Sequence, residues 1–318
     1  MTQTISPTAR KGHFRAVVLY QRQQEPRIYR LGLSFSGIAG KAFGQGVPGQ
    51  FAELDVQETA LPSGTDIPPV LQGKAHRHVL LRRPFSFSRI ESRGRDTLVE
   101  VVYAVLGPGT LRLTTLKAGD SLSVIGPLGR GFSLEPQTKH ALLIAGGLGA
   151  PPIEHLARLL VTTYPQVQTV AFCGARTKED IPFDIHSVPG GTRVILEELE
   201  ELGIEYHLTT DDGSAGTQGF VTEQLKQWLQ HHPGLTHVQF FACGPQPMLA
   251  HVAQIAGQMQ WPCQVSLERN MACGFNLCQG CAVECYGERN DETVYKMCCQ
   301  DGPVFDAQEV VWARNKKN

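Results

Sequence analysis

The sequence contains no long apolar run and almost no net charge, and these two absences exclude several classes of protein. The formal net charge of the 318 residues is −1, so no basic excess indicates binding to nucleic acid or to an acidic membrane surface. The longest uncharged apolar stretch lies near residues 141–153, is rich in glycine and proline, and is too short to span a bilayer. Residues 1–14 lack the apolar segment of a signal peptide. We therefore expect a cytoplasmic protein that binds neither membranes nor nucleic acid.

The sequence also lacks a pattern that marks a general acid or base. Eleven histidines are present, but none stands in a constellation typical of acid–base catalysis. His140, His155 and His251 are interpreted as structural or surface groups. We expect no catalytic side chain, and any chemistry is expected to come from bound cofactors.

Three stretches of different pattern follow one another along the chain. Residues 1–135 hold short runs rich in β-branched and aromatic residues, which predict a closed β-barrel. The Pro- and Gly-rich stretch 61–76 within them is predicted to be a surface loop. Residues 136–260 alternate buried strands with helical periods, which predicts an α/β domain with a doubly wound parallel sheet. Residues 261–318 are short and cysteine-dense, and we expect a small domain that needs a metal centre in place of an apolar core.

Three short motifs lie where such a chain would bind a ligand. AGGLGAPP (145–152) follows a buried strand and opens a helix, as a pyrophosphate site requires, although a tight turn alone would also explain it. FACGPQPML (241–249) places Cys243 at the carboxyl end of a strand, where a buried thiol without function is the alternative. RRPFSFS (82–88) offers an arginine and an aromatic ring to a phosphate and a planar ring system, or is an edge strand with an exposed arginine.

The order and spacing of these motifs resemble the ferredoxin–NADP reductase superfamily over most of residues 13–260. The resemblance implies an FAD-binding barrel followed by an NAD-binding domain. It assigns the FAD phosphates to Arg83, the flavin ring to Ser86 and the EVVYAV strand, and the diphosphate to Gly109 and Thr110. Phe85, after Pro84, stands where many members have tyrosine. The dinucleotide would face Gly146, Gly147 and Gly149, with Cys243, Gly244 and Pro245 near the nicotinamide.

The cysteines gather near the end of the chain in the spacing of an iron–sulfur site. Cys273, Cys278 and Cys281 are spaced C-x4-C-x2-C, as in plant-type [2Fe–2S] ferredoxins, where a fourth cysteine follows. A zinc ribbon would need two C-x2-C pairs, and only one is present. An odd count of nine cysteines disfavours a disulfide framework. Spacing alone leaves the fourth ligand open among Cys285, Cys298 and Cys299.

The C-terminal pattern narrows the resemblance. SLERNMACGFNLCQGCAVEC followed by CCQDGPVFDAQEV is similar to the electron-transfer subunits of class 1B dihydroorotate dehydrogenases. That resemblance implies Cys299 as the fourth ligand, FAD, a [2Fe–2S] cluster and NAD(H) as cofactors, and a catalytic dihydroorotate dehydrogenase subunit as the partner in a heterotetramer. Asp211 and Asp212 near the expected ribose favour NAD over NADP, although Arg176 could meet a 2′-phosphate.

Three alternatives keep part of this interpretation. The chain could be the reductase subunit of an NAD(P)H-linked ferredoxin oxidoreductase or of a cytoplasmic hydrogenase complex. It could be a stand-alone flavin reductase with a structural cysteine tail. It could also be a zinc-stapled, non-enzymatic protein that binds a dinucleotide.

Overall fold

A closed antiparallel barrel forms the first part of the chain. The computed structural model describes residues 11–77, 81–187, 194–289 and 292–312. The barrel strands are β1 (Gly12–Glu25), β2 (Ile28–Ser36), β3 (Phe51–Leu54), β4 (Arg83–Arg93), β5 (Asp96–Ala104) and β6 (Ser121–Leu128), in the order β1-β2-β5-β4-β3-β6. The helices between them are α1 (Gly37–Gly44), α2 (Gln72–Ala75) and α3 (Pro108–Leu113). Leu31, Phe43 and Phe87 belong to its apolar core. The predicted barrel is confirmed.

The stretch 61–76 lies mostly at the surface, as predicted, but it is not irregular throughout. It contains two 3-10 turns, Gly64–Asp66 and Pro69–Leu71, and helix α2. Ile67, Leu71 and Ala75 are spaced four residues apart and are buried in the barrel core. Ile67 has extended backbone after the first turn, whereas Leu71 and Ala75 belong to the second turn and to α2. The segment therefore packs three separate apolar side chains onto the barrel despite its prolines.

The second part of the chain forms a seven-stranded sheet with helices on both faces. The remaining strands are β7 (His140–Gly146), β8 (Gln168–Ala175), β9 (Ile185–Ser187), β10 (Val194–Leu196), β11 (Glu205–Thr210), β12 (Thr217–Gln218), β13 (Val238–Cys243), β14 (Cys263–Ser266), β15 (Ala282–Tyr286), β16 (Thr293–Met297) and β17 (Val304–Asp306). The helices are α4 (Ala150–Thr163), α5 (Glu197–Glu200), α6 (Val221–His231) and α7 (Gln246–Met259). The sheet order is β12-β11-β8-β7-β13-β14-β17, and only the β14–β17 pair is antiparallel. None of the described helices is long and apolar enough to cross a bilayer.

The cysteine-rich segment shares this sheet and its core. Strands β14 and β17 continue the sheet beyond β13, and β15 and β16 form a separate antiparallel hairpin. Cys281, Val283 and Cys298 pack in the same apolar cluster as Phe240 and Val265. A short segment without room for its own core is stabilised in this way by the edge of a larger sheet. The boundary at residue 260 stays a prediction about function; in the fold the sheet continues across it.

Candidate cofactor cleft and cysteine loop

A cleft of about 500 Å³ lies where the barrel meets the carboxyl edge of the sheet. This is the edge at which open α/β sheets bind their ligands. The barrel contributes nine lining residues: Phe51, Pro84, Phe85, Ser86, Val102, Tyr103, Ala104, Leu106 and Thr110. The opposite side comprises Leu148, Pro151, Pro152, Cys243, residues 266–271 and Pro303. The cleft is of the size and character of a small-molecule site.

The barrel wall of the cleft is aromatic. Phe85 on β4 meets Tyr103 on β5 with ring centroids 5.8 Å apart, and Tyr103 stacks on Tyr29 at 5.6 Å. Tyr103 is fully buried, so its ring is held in place by its packing, and Phe85 and Tyr29 are partly buried against it. The wall offers apolar contact to a planar ring at the place where Pro84, Phe85 and Ser86 were expected to meet a flavin.

The three residues expected at the FAD phosphates lie together. The Arg83 side chain passes so close to Gly109 that a Cβ there would stand 2.9 Å from Arg83 Nε. Arg83 Nη1 donates to the Leu81 carbonyl at 2.6 Å. Thr110 Oγ1 accepts hydrogen bonds from the backbone N–H groups of Leu106 and Gly107, at 3.0 and 3.2 Å. Thr110 lines the cleft, whereas Arg83 and Gly109 are not among its lining residues.

The glycine turn after β7 is packed directly against the end of β13. A Cβ on Gly149 would stand 2.0 Å from the Cys243 carbonyl oxygen, and a Cβ on Gly146 would stand 2.8 Å from Pro245 Cδ. Gly147 has φ +51 and an open surrounding. The structure therefore brings Gly146, Gly149, Cys243 and Pro245 into one place, at the start of α4. The N-terminus of a helix favours a negatively charged ligand.

Cys243 lies between two neighbouring strands at this edge. It stands opposite Ala145 of β7 and Ser266 of β14, and its side chain lines the cleft. Burial raises the pKa of the Cys243 thiol to about 12, and the Glu268 carboxylate adds to the rise. The thiol is therefore neutral at physiological pH, which suits contact with a ring better than nucleophilic attack.

The cysteine loop, residues 273–281, is wound so that backbone N–H groups point at sulfur. Gly274, Asn276 and Gln279 all have positive φ, between 55 and 76°. Cys273 Sγ accepts hydrogen bonds from the N–H groups of Leu277 at 3.3 Å and Cys278 at 3.4 Å. Burial raises the pKa of Cys273, but the backbone hydrogen bonds, first that from Cys278, outweigh it and lower the pKa to about 7. Such a nest of N–H groups stabilises thiolates.

Cys299 joins this loop, and the other two contenders do not. Cys299 Sγ accepts a hydrogen bond from the N–H of Asn276 at 3.1 Å, and Cys299 N donates to Cys281 Sγ at 3.4 Å. Cys298 Sγ instead donates to the Leu267 carbonyl at 3.3 Å. Cys285 lies within the β15–β16 hairpin, opposite Val294. The arrangement supports Cys273, Cys278, Cys281 and Cys299 as a set.

The cysteines of this set are compatible with a [2Fe–2S] cluster. Within the described residues, no three His, Cys, Asp or Glu side chains are grouped closely enough to hold a single metal ion. A [2Fe–2S] cluster distributes its four thiolates over two irons and so does not need such a group. All nine cysteines are free thiols.

A buried carboxylate on the barrel touches the cysteine loop. Glu53 on β3 is fully buried, and a Cβ on Gly274 would stand 2.7 Å from its Cγ. Neither carboxylate oxygen has a hydrogen-bond partner among the described residues. Burial raises the pKa of Glu53 to about 7, with Arg82 opposing the rise and Cys273 adding to it. Only glycine fits at position 274, which explains the residue after the first cysteine.

The sequence did not indicate several residues of the cleft. Phe51 and the segment 266–271 line it, yet they lie in none of the three short motifs predicted to bind a ligand. The segment enters the cleft because β14 pairs with β13 and ends at Ser266, opposite Cys243. The only signal available from sequence was the position of SLERNM, one residue away from the first cysteine of the loop.

Comparisons with known proteins agree with this geometry. The iron–sulfur cluster binding domain of dihydroorotate dehydrogenase B matches residues 268–311, and the oxidoreductase NAD-binding domain matches residues 143–254. The "dihydroorotate dehydrogenase B (NAD(+)), electron transfer subunit" of Geobacillus thermodenitrificans (strain NG80-2) is 35% identical over 303 residues, which are 94% of this chain and 99% of the relative. The chain belongs to this family. The subunit of the same name from Geobacillus kaustophilus (strain HTA426) is 36% identical over the same shares of both chains.

The fold of this family member is also found among solved structures. A chain of the NADH-dependent reduced ferredoxin-NADP oxidoreductase superposes with a TM-score of 0.70 at 24% identity, covering 93% of this chain and 90% of that chain. This likeness shows the fold. The predicted architecture of FAD barrel, NAD-binding domain and iron–sulfur domain is confirmed, and so is the predicted family.

Two loops at the carboxyl edge of β8 and β11 flank the expected ribose position. The exposed Arg176 pairs with Asp180 at 3.2 Å, so part of its charge is neutralised. The Asp212 carboxylate accepts hydrogen bonds from Ser214 Oγ at 2.6 Å and Ser214 N at 3.0 Å, which lower its pKa. An ionised carboxylate beside a paired arginine favours a ribose hydroxyl over a phosphate.

Proposed function

We propose that this chain relays electrons between NAD(H), FAD and a [2Fe–2S] cluster, and serves a dihydroorotate dehydrogenase catalytic subunit in pyrimidine biosynthesis. The observation that carries the proposal is the single cleft that joins Ser86 of the barrel, Cys243 of the sheet and the segment 266–271, which runs directly into the cysteine loop. A relay needs its three cofactors in this close succession.

The residues of the chain bind and orient; the redox chemistry belongs to the cofactors. When bound, FAD couples the two-electron chemistry of NADH to the one-electron chemistry of the cluster. We assign the flavin ring to the wall formed by Pro84, Phe85 and Ser86, and the FAD phosphates to Arg83, Gly109 and Thr110. We assign the dinucleotide to Gly146, Gly147 and Gly149, with its nicotinamide beside Cys243, Gly244 and Pro245. The neutral Cys243 thiol and the aromatic wall make the part of the cleft where the two rings are assigned apolar.

We assign the cluster to Cys273, Cys278, Cys281 and Cys299. The N–H groups of Asn276, Leu277 and Cys278 already point at two of these sulfurs. Hydrogen bonds to thiolate sulfur stabilise the reduced, more negative cluster and raise its potential. The left-handed residues of the loop are what aim them.

The partner surface is proposed to surround the cysteine loop. Cys278 is exposed there, and Phe275 and Leu277 expose 49% and 77% of their side chains. Apolar residues at the point where electrons would enter or leave favour a protein partner that excludes water from the transfer path. Electrons from dihydroorotate oxidation in the partner would enter at this loop and leave to NAD at the cleft. Clustered cysteines without a disulfide framework favour a reducing compartment, and we propose the cytoplasm.

Visible absorption of anaerobically purified protein, before and after adding NADH, tests the relay. Flavin bands over a broad iron–sulfur absorption, both bleached by NADH, are expected. A flavin spectrum with zinc and no iron would contradict the cluster assignment. Dihydroorotate-dependent NAD reduction after mixing with the catalytic subunit then tests the partner; electron delivery to ferredoxin alone would favour a ferredoxin oxidoreductase instead.

The docking surface has a matched pair of variants. Leu277→Asp should weaken capture of the catalytic subunit while the cluster spectrum stays intact, because a charge replaces an apolar contact. Val70→Asp is the control, since Val70 is 78% exposed on a different segment. Equal binding by both variants would place the partner elsewhere.

A further inference from the structure

A buried ion cluster joins the barrel to the second domain. The guanidinium of Arg30, on β2, pairs with Glu100 of β5 within the barrel. Across the interface its Nη2 contacts Glu198 Oε1 at 2.6 Å and its Nη1 lies 3.6 Å from Glu154 Oε2 of α4. Arg30 is 5% exposed, so this contact between domains is shielded from solvent and salt.

The cluster extends through hydrogen bonds on both sides. Ser88 Oγ of β4 donates to Glu100 Oε1 at 3.0 Å, and Tyr20 OH also donates to Glu100. On the other side Arg158 Nε donates to Glu154 Oε1 at 3.1 Å. The Arg30 fork therefore has fixed partners in both domains. A planar guanidinium holds several carboxylates in a defined geometry, which an ammonium cannot do.

Each wall of the cleft carries a member of this cluster a few residues from its lining. On β4, Ser86 lines the cleft and Ser88 binds Glu100. On β5, Val102 lines the cleft and Glu100 binds Arg30.

On α4, Pro151 and Pro152 line the cleft, and Glu154 faces Arg30. Val102 and Glu100 are two apart on β5 and share a face, and residues two or three apart on a helix lie within one turn. Ser88 lies at a register shift between β4 and β5, two residues from the lining residue Ser86. Arg30 binds Glu100 on the barrel side and Glu154 on α4. These contacts therefore hold the barrel wall and the α4 wall at a fixed distance, a few residues from the lining of the cleft.

We propose that Arg30 is a positioning residue that fixes the spacing of the two cleft walls for hydride transfer, an inference that rests on the proposed meeting of flavin and nicotinamide in this cleft. Arg30 touches neither ring; it acts through Glu100 and Glu154. Hydride transfer requires the reacting atoms to lie about 3–3.5 Å apart, and a misplacement of about 1 Å can lower the rate roughly 100-fold.

The test uses the full chain loaded with FAD and cluster. Arg30→Lys keeps the charge but loses the fork, and should lower the limiting rate of flavin reduction by NADH about 10- to 100-fold, while FAD content and the KM for NADH stay near those of the unchanged protein. Hydrogen exchange without NADH gives an independent readout, because amides of residues 153–158 should exchange faster once α4 is less tightly held. Arg22→Met is the matched control: Arg22 also bridges the domains, to Asp184 at 2.6 Å, but is half exposed, and its rate should be unchanged.

If the Arg30→Lys protein does not fold, the Glu154→Gln protein tests the same positioning role. Its single amide oxygen can serve Arg30 or Arg158 but not both, so the same loss in limiting rate is expected, to a smaller degree. A folded Arg30→Lys or Glu154→Gln protein that reduces flavin at the original rate would overturn the proposal. So would a slow rate explained by lost FAD or a raised KM, since that is a structural role. Failure of the unchanged protein to reduce flavin with NADH would instead refute the proposed function.

Discussion

Gly149→Ala should separate the nicotinamide site from the other two cofactor sites. In the structure a Cβ at this position would stand 2.0 Å from the Cys243 carbonyl oxygen, 2.3 Å from its carbonyl carbon and 2.6 Å from Gly244 N. All three atoms are backbone, so no side-chain rotation relieves the contact. Reaching even 3.0 Å requires the start of α4 or the end of β13 to move by about 1 Å.

Two magnitudes follow from that displacement. Overpacking of this kind costs about 1–3 kcal/mol of the free energy of unfolding. A shift of about 1 Å at the nicotinamide would lower the rate of flavin reduction roughly 100-fold. FAD content and the iron–sulfur absorption should be retained. The atoms that a Cβ at position 149 would meet belong to Cys243 and Gly244, and not to the barrel wall or the cysteine loop.

Stopped-flow reduction by NADH under anaerobic conditions measures the rate, and thermal unfolding measures the stability. Gly234→Ala is the control, since nothing lies within 4 Å of a Cβ there and its φ is not in the left-handed region. Its stability should change by less than about 1 kcal/mol. A Gly149→Ala protein that reduces flavin within about threefold of the original rate, a difference under ~1 kcal/mol, would refute the assignment of this turn to the dinucleotide.

Three further predictions concern the cluster and the buried carboxyl group of Glu198. Cys278→Ser should remove or destabilise the iron–sulfur absorption but leave FAD binding and flavin reduction by NADH largely intact; loss of flavin with the cluster retained would contradict the division of the chain. Cys299→Ser should abolish the cluster and Cys285→Ser should retain it, as iron and sulfide analysis of the purified variants would show; the reverse result would make Cys285 the fourth ligand. Burial, and then the charge of Glu154, raise the pKa of Glu198 to about 8 in the folded state, although the charge of Arg30 opposes this rise. The folded chain then binds more protons than the unfolded chain between pH 4.5 and 8, so this carboxyl makes stability fall as pH rises across that window, by at most ~1.4 kcal/mol per pH unit. Glu198→Gln should flatten that slope in urea unfolding; an unchanged slope would mean that Glu198 is ionised throughout.

The sequence by itself determined the architecture and most of the proposed site. Alternating apolar residues predicted the barrel, β–α alternation predicted the parallel sheet, and C-x4-C-x2-C predicted the cluster loop. These patterns are local: the period of a strand, the spacing of thiols and the glycines of a turn are written in consecutive residues. For residues 61–76 the same local reasoning correctly predicted a surface segment but missed its short turns and the burial of Ile67, Leu71 and Ala75, because prolines and glycines are typical of irregular loops.

Tertiary structure alone decided which residues from different patterns lie next to one another. Spacing left the fourth cysteine open, and only the fold places Cys299 beside Asn276 and turns Cys298 toward Leu267. Arg30, Glu53 and Glu100 are charged residues within otherwise apolar strands. That contrast was the one signal available from sequence for the buried ion cluster and for the contact between Glu53 and the cysteine loop. The partners of these three residues lie 12 to 221 residues away in sequence, with Ser88 for Glu100 and Gly274 for Glu53 (274 − 53 = 221) as the two extremes. Such distant pairs have no period to read, since they exist only after the chain has folded.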